Sequence, residues 1–385
     1  MPTAPPPPSA LPRFALKTLV PLCRDRFVDP AHGGFFEVLS ATRAPLVRPR
    51  RLLVQCRLLY VLSHAALLGE PGGTGAAEAG YAFLRRAYQD HAHGGFFFSA
   101  APEGAPLDRS KDFYAHAFVL YALAWLHRAF AAPGAVALAG ATLDLLHARL
   151  AAPHGGFWDG ASEDWQPHTA LRRQNPHMHL LEALLAWHAA TGEERWLNEA
   201  RAIVRLFETR FFDPATGTLG EFFGPDWRAH PEQGHVVEPG HHFEWVWLLH
   251  RWRVQSGDTG VAAAAEALYA TALRHGFDPE HGGIHDQIHR SGAPLATTRR
   301  IWPVTEAIKA HLARIEAGES VAAGEPARSI AALFTTFLRP GGWIETCTRE
   351  GAPTRTELPG STPYHVFLAA AETARVLGPG SAGPG

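Results

Sequence analysis

The chain has 385 residues, of which 46% are hydrophobic and 19% charged, with a formal net charge of −2. That balance supplies a sizeable core and excludes the basic footprint of a nucleic-acid or anionic-membrane binder. Three scattered cysteines, Cys23, Cys56 and Cys347, lack any CxxC spacing, which excludes a disulfide framework and fits a reducing compartment.

The chain opens on a proline run, MPTAPPPPSALPR, where a secretory signal would need an apolar stretch; residues 1–13 read as a disordered tail. From residue 14 to 376 one phrase returns six times. It reads DPAHGGFF from Asp29, DHAHGGFFF from Asp90, PHGGFWDG from Pro153, DPATGTLGEFF from Asp213, DPEHGGIHDQ from Asp278 and RPGGWIE from Arg339. Counted on its second glycine (Gly34, Gly95, Gly156, Gly220, Gly283, Gly342), the intervals are 61, 61, 64, 63 and 59 residues. Residues 377–385, ending GPGSAGPG, read as a second disordered tail.

Between the phrases lie segments of helical period. LVQCRLLYVLSHAALL (53–68), FYAHAFVLYALAWLHRAF (113–130), HMHLLEALLAWHAA (177–190) and HFEWVWLLHRW (242–252) are apolar around most of their circumference, as in helices covered on both sides. Amphipathic segments such as 134–150 and 193–211 alternate with them. The GG phrases, with their aromatics and turn residues, read as short hairpins. Each repeat is then an outer helix, a hairpin, a loop and an inner helix. Six such pairs make a closed all-α barrel of helical hairpins, (α/α)6, with short β-hairpins at one mouth. The period exceeds the 34–47 residues of open helical solenoids. No apolar stretch suffices to span a bilayer, so the protein is expected to be soluble and cytoplasmic, a monomer or homodimer.

Prolines at 49, 176, 239, 303 and 363 fall just before inner helices, where a missing N–H costs nothing. Asn175 and Thr362 read as N-caps. The second repeat lacks the proline and starts near Ser110 or Asp112. Parallel inner helices would gather their N-termini at one mouth and favour an anionic intermediate there. Polar residues of different kinds stand at these starts. Asn175 and His179 share a helical face, as do His241 and Glu244; Trp302 and Glu306 flank Pro303, and His365 follows Pro363. Arg57 lies in an otherwise apolar run and requires a partner or a wet cavity.

EPGHHFEWVWLL, RRIWPVTEA, NPHMHLLEA and PGSTPYHVF resemble the N-acylglucosamine 2-epimerase family, which includes cellobiose 2-epimerases and mannose or sulfoquinovose isomerases on an (α/α)6 barrel. The resemblance covers roughly residues 15–375 and in motif form is nearest the mannose-isomerase branch. It implies an enzyme that needs no metal or other cofactor and acts on a small sugar through an enediol(ate). By matching motif it places catalytic histidines at His241 and His365, with Arg57 and Glu244 beside them. Asn175, His179, Trp302, Tyr114 and Glu306 are expected to hold the sugar, as is His116, which stands where the family usually has glutamine. The roles implied are a proton shuttle at His365, ring opening or a second base at His241, enediolate stabilisation at Arg57, and orientation of a histidine by Glu244. The chemistry agrees: a C–H beside a carbonyl needs a base near neutrality and a donor for the developing oxyanion.

Three other readings compete. A metal enzyme could draw on His285 and His289, His177 and His179, or His241 and His242. A glycoside hydrolase would need a carboxylate pair such as Glu244 and Glu306. A non-catalytic carbohydrate- or protein-binding barrel is the third. No glycine-rich phosphate loop marks a nucleotide effector site.

Overall fold

In a computed structural model of the chain, the described residues are 6–70, 72–321 and 324–378. Six inner helices, Leu52–Leu67, Phe113–Phe130, Gln174–Thr191, Pro239–Ser256, Trp302–Glu316 and Pro363–Leu377, alternate along the chain with six outer helical segments. The outer segments are 10–27, Gly73–Tyr88, Ala135–Leu150, 194–211, 262–276 and 325–337. Four of them, the first, fourth, fifth and sixth, end in a five-residue π-helical turn directly before the hairpin phrase. In the second inner helix the whole run from Phe113 to Leu126 is buried except Tyr114. Each such leucine taken from water is worth about 1.5–3 kcal/mol.

Strand pairs close the ring. Arg50–Arg51 pairs with Ser99–Ala100, Lys111–Asp112 with Gly160–Ala161, Arg172–Arg173 with Phe222–Phe223, Val236–Val237 with Gln287–His289, and Arg299–Arg300 with Thr346–Cys347. The sixth pair returns to the start: Leu358 lies opposite Leu39 and Pro359 opposite Val38, antiparallel. An open solenoid has no such bond between its last and first repeats. The last inner helix also packs on the first. The barrel is therefore closed, an (α/α)6 fold.

The GG phrases are turns that hold the strands. Asp29 accepts the Ala31 N–H at 2.8 Å, and Asp90 accepts that of Ala92 at 2.8 Å. Gly95 has φ of +71°, and a Cβ there would meet the Trp165 ring at 2.5 Å, so only glycine fits.

The N-terminal boundary needs correction. Helix begins at Ala10, inside the expected tail of residues 1–13, because Leu11 is fully buried in the core. Residues 1–5 and 379–385 lie outside the described residues. Two expected caps are also corrected. Asn175 is inside its helix, whose N-cap position is Arg173; Thr362 sits at the N-cap, but its hydroxyl bonds Glu345 rather than the helix backbone. Asp112 does cap the second inner helix, accepting the Ala115 N–H at 2.7 Å. All three cysteines are buried free thiols. Among the described residues no helix is long and apolar enough to cross a membrane.

Candidate active site

The inner helices are parallel, and their first turns surround a cavity of about 330 Å³ at the hairpin end. Of the ten residues singled out in the sequence, eight line it: Arg57, Tyr114, Asn175, His179, His241, Glu244, Trp302 and His365. His116 and Glu306 do not.

His116 belongs to the scaffold. Its Nε2 accepts the Phe96 N–H at 3.0 Å and its Nδ1 meets the Asp112 carbonyl at 2.7 Å, so neither nitrogen is left for a ligand. The geometry recurs: His177 Nε2 accepts the Phe157 N–H at 2.9 Å, and His242 Nε2 that of Leu219 at 3.2 Å. In the first repeat Gln55 Oε1 does the same for Phe35 at 2.8 Å. Each clamps a hairpin phrase onto its inner helix.

Glu306 is fully buried beneath the cavity. Its Oε1 lies 2.9 Å from His365 Nδ1 and its Oε2 lies 2.5 Å from Lys309 Nζ. It therefore fixes the tautomer of His365, with N–H at Nδ1 and the Nε2 lone pair left for the cavity. His241 is held in the same way by a residue the motifs did not single out: its Nδ1 lies 3.0 Å from Glu221 Oε2 and 3.7 Å from Glu238. Glu182 holds the third histidine, His179, at 3.0 Å and accepts the Tyr364 hydroxyl at 2.6 Å. Glu244 thus orients none of them by a hydrogen bond. It comes within 3.9 Å of His179 Nε2 and keeps Oε1 unpartnered.

These surroundings push the two leading histidines in opposite directions. Burial, with the Arg57 and Lys309 charges added, holds His365 well below the ordinary imidazole value, so it is neutral near pH 7. Burial opposes charging of His241 as well, but Glu221 and then Glu238 outweigh it and raise the imidazolium to about 9. One neutral and one charged imidazole share a wall with Trp302, whose ring centroid lies 4.9 Å from that of His241 and 5.9 Å from that of His365. Opposed pKa values of this sort divide acid from base. Burial and the nearby Glu306 push the Glu244 carboxyl up.

Arg57 is 6% exposed and, among the described residues, has no carboxylate partner. Its guanidinium donates to the Tyr114 hydroxyl at 2.8 Å and to the Ser361 carbonyl at 3.1 Å. It sits 4.5 Å from the Phe118 ring centroid and 4.8 Å from that of Tyr364. Its direct contacts are neutral and its Nε is unpartnered, and the carboxylate its charge reaches at longer range is Glu345; such an arrangement suits an incoming oxyanion. Asn175 Oδ1 is another unpartnered cavity-lining atom.

Sequence reading also missed three arginines at the mouth. Arg51, Arg173 and Arg300 are the second members of RR doublets that precede three inner helices, and each lines the cavity. They are already paired: Arg51 with Glu37 at 2.6 Å, Arg173 with Asp159, and Arg300 with Asp286 and Glu238. The doublet itself was the available signal.

The histidine pairs considered for a metal are not brought together as donor sets. His177 and His242 are backbone clamps, and His289 Nδ1 bonds Ser291. Among the described residues three donor triples do meet: His179–Glu182–Glu244, Glu244–Glu306–His365 and the partly exposed Asp90–His93–Glu163. In the second, Lys309 already supplies the positive charge to Glu306.

A closed (α/α)6 barrel with one neutral and one charged histidine and a buried guanidinium at the inner-helix N-termini suits a carbohydrate isomerase or epimerase. The comparisons give the family. Residues 34–369 match the model of the N-acylglucosamine 2-epimerase (GlcNAc 2-epimerase) family, and the chain belongs to it. It is 34% identical to a mannose-6-phosphate isomerase of Rhizobium meliloti, with 91% of this chain and 92% of that protein covered. It is 33% identical to a D-mannose isomerase of Thermobifida fusca, with 73% and 72% covered. The solved cellobiose 2-epimerase of Spirochaeta thermophila superposes with a TM-score of 0.85 at 27% identity, covering 96% of each chain.

Proposed function

We propose that the protein interconverts an uncharged aldohexose of the mannose type with its ketose, by proton transfer through an enediolate. The observation that carries this reading is the opposed pair: His365 neutral with Nε2 free, and His241 charged. His241 donates to the ring oxygen as the ring opens and takes up the proton of the anomeric hydroxyl. His365 takes the proton from C2 and returns it to C1 on the same face, while the proton of the C2 hydroxyl passes to O1. Arg57 receives the negative charge that develops on the carbonyl oxygen. Asn175 and Glu244 meet hydroxyls, and Trp302 lies against an apolar face of the sugar.

Charge and size favour a neutral monosaccharide. Four arginines (Arg51, Arg57, Arg173, Arg300) and four glutamates (Glu221, Glu238, Glu244, Glu345) line the cavity. The rim arginines are each neutralised, so nothing at the mouth is left over for a phosphate. The volume is at the small end of the ~300–1,000 Å³ usual for ligand pockets.

One observation favours a second reading, C2 epimerisation. A base and an acid on separate helices could also exchange protons on opposite faces of C2. Motif form and the two mannose-type relatives weigh toward isomerisation. His365→Ala and His241→Ala should each abolish turnover of mannose and fructose while melting stays close to wild type. Wild-type rates in either variant would remove the role given to that residue.

A further inference from the structure

At the other end of the barrel, where the inner helices finish, lies a second cavity of about 440 Å³, larger than the first. Five inner helices contribute to it. Tyr121, Trp125, Leu185, Leu248 and Leu368 make an apolar and aromatic wall, and Arg128, Arg251 and Arg375 also line it. Arg375 is accounted for by Glu316 and Glu372. The other two are not. Among the described residues neither Arg128 nor Arg251 has a hydrogen bond or an ion pair, although the two guanidinium groups are near enough for Arg251 to disfavour the charge on Arg128.

A simpler role for basic residues here would be to complement the negative ends of the helix dipoles. It applies to Arg128, which stands in the last turn of its helix, but not to Arg251, which precedes the last turn of its own. Arg128 also sits 4.3 Å from the Trp125 ring centroid, and His64 stacks on that indole at 4.0 Å. His64 brings no charge, because burial and Arg128 hold it down at about 3. Glu182 borders this cavity but is committed to His179 and Tyr364 on the active-site side. What remains is an apolar and aromatic cavity lined by two arginines without an ion pair, Arg128 at its exposed edge and Arg251 half-buried, whose charge also reaches the committed Glu372.

From this we infer that the far-end cavity binds a small organic anion with a flat apolar body, its acid group between Arg128 and Arg251 and its body against Trp125 and the leucines. The chemistry is that of an aromatic carboxylate, sulfonate or phosphate ester. Apolar burial supplies affinity, and the two guanidinium groups select the acid. The inference rests on this cavity alone and is independent of which sugar the protein turns over.

Titration calorimetry of the full chain with naphthalene-2-sulfonate tests it, with inorganic sulfate and 2-naphthol as comparison ligands. Expected are one saturable site per chain for the sulfonate and at least tenfold weaker binding of both comparison ligands. Arg128→Gln and Arg251→Gln should each weaken the sulfonate at least tenfold and leave sugar turnover unchanged. Trp302→Ala, in the active-site cavity, should leave its affinity unchanged. Melting curves confirm that each variant is folded; if one is not, the other arginine variant carries the test. Absence of binding, equal binding of sulfate or 2-naphthol, indifference to both arginine variants, or loss of binding in Trp302→Ala would each overturn the proposal.

Discussion

Glu221→Gln tests the division of labour between the histidines. The amide keeps an oxygen near His241 Nδ1, which now lies 3.0 Å away, but removes the charge. His241 stands at about 9 against an ordinary 6.5 even though burial works in the other direction. That net rise favours the imidazolium by about 3 kcal/mol, and Glu221 is its leading source. Without Glu221, burial prevails over the weaker contributions of Glu238 and Glu244, and the group should titrate near or below 6.5. At pH 8 the protonated fraction then falls from about nine-tenths to a few hundredths, on the order of 30-fold, whereas at pH 6 it barely changes. The assay is kcat/KM for mannose from pH 5 to 10. The high-pH limb should move from about 9 to below 7, with the variant close to wild type at pH 6. A loss equal at every pH, or a limb that stays put, would refute the assignment of His241 as the acid.

Other expectations follow from the same structure. Arg57→Ala should lower kcat about 10²–10³-fold, the usual cost of losing one oxyanion donor, with little change in melting because Arg57 has no ion partner to strand. A large fall in melting temperature would make its role structural. Glu306→Gln should lower kcat with KM nearly constant, since Glu306 touches His365 and not the cavity; a KM effect alone would contradict that. The clamp histidines bear on stability. His116 is depressed to about 4, and His177 and His242 to about 3, each by burial. The folded chain refuses protons that the unfolded chain takes below about 6.5, so their stability contribution is complete above that pH and is lost as pH falls. Together the three should steepen the acid limb by about 4 kcal/mol per pH unit between roughly pH 6 and 4. His177→Gln copies the arrangement of Gln55 in the first repeat and should fold normally while flattening that limb; an unchanged acid melting profile would refute the clamp account.

The barrel was legible because its periodic marks are backbone requirements. Glycines with positive φ recur in every hairpin phrase, and in four of the six an aspartate bonds a turn amide (Asp29, Asp90, Asp213, Asp278). The cavity was legible where its residues depart from the repeat, as at Arg57, His241 and His365. What escaped was long-range pairing. Glu221 sits inside the worn fourth phrase, GEFF, which otherwise reads as scaffold, and only folding brings it to His241, twenty residues on. Lys309 is hidden in an apolar helix and is explained only by the buried Glu306 beside it. His116 was misplaced for a local reason. Two residues along a helix turn by about 200°, so with Tyr114 facing the cavity, His116 must face away toward its hairpin.

The central claim is that His365 moves a proton at C2 of a neutral hexose, and hydrogen exchange at that carbon tests it most directly. Mannose, glucose, fructose, N-acetylglucosamine and cellobiose are each incubated with the protein in D2O and followed by NMR. The account requires fructose from mannose, deuterium at C2 of the recovered mannose, and neither with His365→Ala. A C2-epimeric aldose without ketose would replace isomerisation by epimerisation, and no exchange with any of the five sugars would contradict the claim itself.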